Sequence, residues 1–82
     1  MARYLISYDL LQPGQDYSNI IDRLITLEAR KVLHSAWVVS GDYTCISLRD
    51  DLRRYIDQNA RLLVVRFDDC ASCNTIIDIN TI

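Results

Sequence analysis

The apolar pattern of this chain predicts an α+β fold, with two helices on one face of a mainly antiparallel sheet. Three observations predict it. The opening run Arg3–Leu10 alternates like a half-buried strand, two later stretches repeat at the helical period, and valine-rich runs separate and follow them.

In the opening run, Tyr4, Ile6, Tyr8 and Leu10 fall on one face, and Leu5, Ser7 and Asp9 on the other. The first set is apolar and reads as core. The second is half polar, so it faces water or a partner. Gln12-Pro13-Gly14 follows, with proline and glycine in the central positions of a type II turn. Asp16 is placed to cap a helix whose stripe is Tyr17, Ile20, Ile21, Leu24 and Leu27, ending near Arg30.

Lys31–Ser40 reads as the second strand, bounded by Ser40-Gly41-Asp42. Thr44 is placed to cap a second helix with the stripe Cys45, Leu48, Leu52, Tyr55 and Ile56. Asp57-Gln58-Asn59 signals a loop, and Leu62–Phe67 is a third strand, continuous enough to be central in the sheet. The chain forms one domain, a core over 1–69 and a tail over 70–82. Within the tail, Thr75–Ile82 has high strand preference and could be an edge strand or reach into a second subunit. The order β-α-β-α-β, with that extra strand, is a ferredoxin-like plait if a hairpin lies between the helices. Val32–Val39 contains no turn residue, so either it folds over itself through a bulge, with a short extension through Tyr43, or the plait is abbreviated.

The charge balance is nine basic against eleven acidic residues, so any nucleic-acid contact must be a local patch rather than a bulk positive field. Eight of the basic residues are arginines, the side chain better suited to bidentate phosphate or carboxylate pairing. Three cysteines without framework spacing imply a reducing, cytoplasmic setting. The sequence has no apolar run long enough for a membrane span and no leader pattern.

The strand ending Tyr8-Asp9-Leu10, the amphipathic helix after it, and Val32-Leu33-His34-Ser35-Ala36-Trp37 carry a resemblance. Over residues 3 to 67 the chain resembles the second CRISPR-associated protein, the small spacer-acquisition subunit, and relatives such as virulence-associated protein D. The resemblance implies a ferredoxin-like homodimer. In members with nuclease activity it makes Asp9 the catalytic carboxylate that holds a divalent metal near the two-fold axis, and it sets Ser35 and Trp37 near that axis, with Leu5 in the interface. It also implies nucleic-acid binding, by many members as structural binders without cleavage. From Cys70 onward nothing matches the family pattern.

Asp9 has two readings from the residues. Magnesium commonly takes one or two carboxylates plus waters and substrate phosphates, and a carboxylate beside Gln12-Pro13-Gly14 can equally accept hydrogen bonds from that turn. Ser7 and Ser35 could bond phosphate near Asp9, or simply be small neighbours in a packed sheet. Arg49, Arg53 and Arg54 form the densest basic cluster, a phosphate-contact face unless Asp50 and Asp57 neutralise it at i, i+4 spacing. His34 points opposite to Ser35 by alternation and reads as an ordinary surface or partly buried imidazole. Cys70 and Cys73 have half the spacing of a zinc site or a redox pair, while Cys45 lies on an apolar helical stripe. Zinc is ranked below free thiols. The function expected is a nucleic-acid-binding homodimer, with magnesium-dependent endonuclease activity through Asp9. The other class is a non-catalytic protein-interaction module, such as a toxin-system component or a phage-type inhibitor.

Overall fold

A computed structural model describes residues 2–9 and 17–82. The elements are β1 (Ala2–Asp9), α1 (Ser18–Thr26), β2 (Arg30–Leu33), β3 (Ala36–Gly41), α2 (Cys45–Leu52) and β4 (Arg61–Phe67), with short 3₁₀ turns at Arg53–Tyr55 and Ile79–Thr81. The four strands form one antiparallel sheet in the order β2-β3-β1-β4. This small α+β arrangement is compatible with a ferredoxin-like fold. The predicted turn at Gln12-Pro13-Gly14, the Asp16 cap and Leu10 lie outside the described residues.

The alternation of β1 places its core set as expected, while Leu5, on the face expected to meet water or a partner, packs beside the tail. Tyr4, Ile6 and Tyr8 are buried against Trp37 and Val39 of β3, Ile20 and Leu24 of α1, and Leu48 and Leu52 of α2. The Tyr4 hydroxyl donates to the Tyr43 carbonyl, and the two rings meet edge to face at 6.1 Å. Gly41 sits where a Cβ would come within 2.6 Å of the Tyr43 ring, so only glycine fits that approach without a shift.

Lys31–Ser40 is not a single strand. It folds back at His34-Ser35 into β2 and β3, with a register shift between Lys31 and Leu33. The bulge absorbs the odd residue and lets a two-residue turn close without glycine, asparagine or proline. His34 therefore sits exposed in a turn, where strand alternation no longer sets its direction.

The first helix stops at Thr26, short of Arg30. Glu28 takes a left-handed conformation (φ 61°), and the amides of Glu28 and Ala29 donate to the carbonyls of Ile25 and Leu24. That pair of bonds is a Schellman ending, which frees Arg30 to begin β2. Thr44 caps α2 as expected: its hydroxyl accepts from the Ser47 amide at 3.0 Å, and the Ser47 hydroxyl accepts from the Thr44 amide at 3.0 Å.

Two expectations about the far half of the chain change. Leu62–Phe67 belongs to an edge strand rather than a central one, because β1 holds the place between β3 and β4. An unbroken apolar run suggests cover on both faces, yet Leu63 is 58% exposed and Val65 38%. Thr75–Ile82 forms no strand in this chain. Its Ile77, Ile79 and Ile82 pack across the sheet face opposite the helices, against Leu5, Val32, Ala36, Val38 and Phe67. The Ile76 amide donates to the Val32 carbonyl at 2.9 Å, and Asp78 caps the final 3₁₀ turn through the Asn80 amide. Arg3 ties the tail down: its guanidinium donates to the carbonyls of Asp68 and Ile79 and lies 4.8 Å from the Phe67 ring centre. No helix among the described residues is long and apolar enough to cross a membrane.

Candidate nucleic-acid interface

Antiparallel pairing brings three chain segments to one end of the sheet. β1 finishes there at Asp9, β4 starts there with Arg61 directly across the ladder, and the β2–β3 turn arrives beside them. The Tyr8 amide donates to the Ser35 carbonyl at 3.2 Å, fixing that turn next to the end of β1. A shallow hollow of about 200 Å³ opens here, lined by Ser7, Tyr8, Asp9, Arg61, Leu62 and Leu63.

Asp9 is exposed and has no ion-pair partner among the described residues. On the other face of the sheet, the Trp37 indole N–H donates to the Tyr8 hydroxyl at 3.3 Å in the buried core. Burial pushes the Tyr8 hydroxyl above its ordinary value of 10.0, more than the Trp37 hydrogen bond lowers it. Tyr8 therefore stays protonated near neutral pH and is a structural support, not a base.

Sequence-predicted site residues separate into groups. Ser7 and Asp9 share the hollow, and Ser35 adjoins it through its backbone. Trp37 is 6% exposed in the helix-side core, and Leu5 is half-buried beside the tail cluster. Arg49 and Arg53 line a second hollow of about 310 Å³ with Ile56, Asp57, Gln58, Ala60 and Leu62. Leu62 is among the residues lining each hollow.

Arg54 has a different job. Its guanidinium reaches Asp51 at 3.1 Å, and Arg23 of α1 holds the same carboxylate at 2.8 Å, with both guanidinium groups 5.6 Å from the Tyr55 ring centre. The expected i, i+4 pairs, Asp50 with Arg54 and Arg53 with Asp57, do not form; Asp50 instead pairs with Arg49 at 3.0 Å. The cause is the tightening of the helix after Leu52 into a 3₁₀ turn, where residues three apart align.

Hydrogen bonds from Arg23 hold the Asp51 carboxyl below its ordinary 3.8, with Arg54 adding to the effect. A carboxyl depressed in the folded state adds stability that is complete above its unfolded value and disappears as pH falls through its folded value. Asp51→Asn is thus expected to cost about 1 kcal/mol at neutral pH, a partly exposed bidentate pair being modest. The difference between variant and parent should close below roughly pH 4. Thermal melts of both proteins across that range check it; a gap that stays constant with pH would remove the ionic explanation.

Arg61 was not singled out from sequence. Its signal was there, since antiparallel neighbours set the start of one strand against the end of the other, but only the register in space pairs it with Asp9. Among the described residues, no three His, Cys, Asp or Glu side chains come together as an ion-binding group. Cys45, Cys70 and Cys73 are free thiols; Cys70 lies under Arg3 and close to the Asn80 side chain, and Cys73 is exposed. The single carboxylate at this site suits a magnesium shared with a substrate phosphate rather than one held by the protein alone. No model of a known protein family matches the chain, and no solved structure matches it.

Proposed function

We propose that this chain is a ferredoxin-like plait that acts as a nucleic-acid-binding homodimer, related to the spacer-acquisition subunit and virulence-associated protein D. Phosphodiester cleavage in the presence of magnesium, through Asp9, is its activity. The observation that carries this reading is the exposed Asp9 carboxylate facing Arg61 across the ladder, at an open hollow with Ser7. A carboxylate beside an arginine suits a phosphodiester: the guanidinium donates to the non-bridging oxygens, and the carboxylate accepts a water or shares a cation with the phosphate. Magnesium, when bound, supplies charge stabilisation to the phosphate and acidifies a coordinated water. A second copy of Asp9 from a two-fold-related chain supplies the other carboxylate. Ser7 can donate its hydroxyl hydrogen to a phosphate oxygen.

The test is a cleavage assay on end-labelled RNA and DNA with magnesium, manganese or EDTA, alongside the mass in solution by light scattering. Metal-dependent product from a dimeric species supports the reading. The absence of product in either metal rejects the nuclease. A second reading, a non-catalytic protein-interaction module, is favoured by one observation: β4 is an edge strand that presents Leu63 and Val65 to solvent. That module would leave both nucleic acids intact.

A further inference from the structure

The two edges of the sheet are built differently. β2, on one side, has four residues and a register shift, and the Ile76 amide donates to its Val32 carbonyl at 2.9 Å. Short length, a bulge and a covering segment are ordinary ways of closing an edge to other strands. β4, on the other side, runs for seven residues in unbroken register with β1 and contains neither lysine nor proline. Among the described residues, no backbone hydrogen bond reaches β4 from its outer side. Every second residue of such a strand presents its N–H and C=O away from the sheet.

The ladder sets Leu63 beside Ser7, and Val65 beside Leu5, on the face away from the helices. The tail covers Leu5 and Phe67 there, yet Leu63 is 58% exposed and Val65 38%. Charge is also uneven along the strand. It opens with Arg61 and leaves into Asp68-Asp69, all exposed and without an ion-pair partner among the described residues.

We propose that β4 pairs antiparallel with β4 of a second copy of this chain, about a two-fold axis at Val64. In that register Leu63 lies opposite the copy's Val65, with Cβ atoms about 5 Å apart. Each apolar side chain left bare by one chain is covered by the other. Arg61 falls opposite the copy's Phe67, one residue from Asp68, so the basic start of each strand meets the acidic exit of the other. The two Arg66 side chains stay about 13 Å apart along the strands. An axis at Leu63 would draw Arg61 away from the acidic exit. An axis at Val65 would make the two Arg66 diagonal neighbours about 7–8 Å apart. The occupant is a second copy because this edge complements itself in both charge and apolar pattern. The pairing goes beyond the nucleic-acid reading. Since Asp9 sits across from Arg61, it holds the two Asp9 carboxylates roughly 20 Å apart along the strands, so it is a separate contact from one that joins them.

Sedimentation velocity on the full chain over a concentration series tests this, with melts to show that each variant folds. A concentration-dependent association step is expected. Val65→Lys sets a lysine opposite the copy's Leu63 and diagonal to its Arg61, and should weaken that step about tenfold or more. Arg61→Glu should weaken it about fivefold. Adding Asp68→Lys and Asp69→Lys to Arg61→Glu should restore it, a recovery that damage to the fold cannot produce. Ile46→Lys, at a position 63% exposed on α2, should stay within about twofold. Amide exchange should slow with concentration at alternate residues of β4 and not in β2. Association indifferent to both Val65→Lys and Arg61→Glu would overturn the edge pairing while leaving a homodimer through another face. A chain monomeric at every concentration would overturn both, and would leave the edge to a strand of another protein.

Discussion

Asp9→Asn is expected to reduce magnesium-dependent cleavage by roughly a hundredfold or more, with an unchanged melting temperature. The kinetic part follows from the charge a carboxylate contributes when a metal ion and a phosphate share it. Metal-assisted stabilisation is worth several kcal/mol in a transition state, and each ~1.4 kcal/mol lost is about tenfold in rate. The thermal part follows from position. Asp9 is exposed at the end of β1 and has no ion-pair partner among the described residues, so asparagine of nearly the same shape removes no packing. Surface changes of this sort stay within about 0.5 kcal/mol. Rates at saturating magnesium, with melts of both proteins, separate the two effects. Cleavage that survives the substitution removes Asp9 from the chemistry. A large drop in melting temperature would instead assign the carboxylate to holding the following turn.

The largest stability effect is expected from shortening the chain after Thr75. Ile77, Ile79 and Ile82 cover Val32, Ala36 and Val38 on the sheet face away from the helices. Complete burial of an isoleucine is worth about 1.5–3 kcal/mol, and these three are only partly buried, so their joint contribution is about 3 kcal/mol. Arg3 also loses the Ile79 carbonyl as an acceptor. A domain of this length has about 4–12 kcal/mol in total, so the loss is a substantial share of it. Urea unfolding should show a clearly lower midpoint for the shortened chain. Ile76→Ser, at a position 60% exposed, should leave the midpoint near that of the parent. If truncation costs nothing, the tail is not part of the folded unit.

The helical half of the core was legible because it obeys local rules. The β1 alternation, the Leu48 and Leu52 stripe and the Thr44 cap are written at fixed spacings that need no tertiary context. The misses share a cause in features that local rules penalise but packing permits. Glutamate at position 28 adopts the conformation glycine usually supplies, so the end of α1 was read too late. His34-Ser35 makes a turn without glycine, asparagine or proline, so the fold-back of this run was one of two readings left open and its position was not marked. The β-branched tail reads as strand, yet its isoleucines are satisfied by side-chain packing over a sheet they do not extend. At the site, Asp9 was visible as the acidic tip of a strand, whereas Arg61 required knowing which strands are neighbours.

Bonding the chain's lone tryptophan to the residue before the acidic tip has a practical consequence. Because the Trp37 indole N–H bonds to the residue preceding Asp9, its ultraviolet emission is a built-in optical gauge of that corner. Oligonucleotide titrations and denaturation curves can both be followed from the same unlabelled chromophore, so occupancy and unfolding become comparable on one sample.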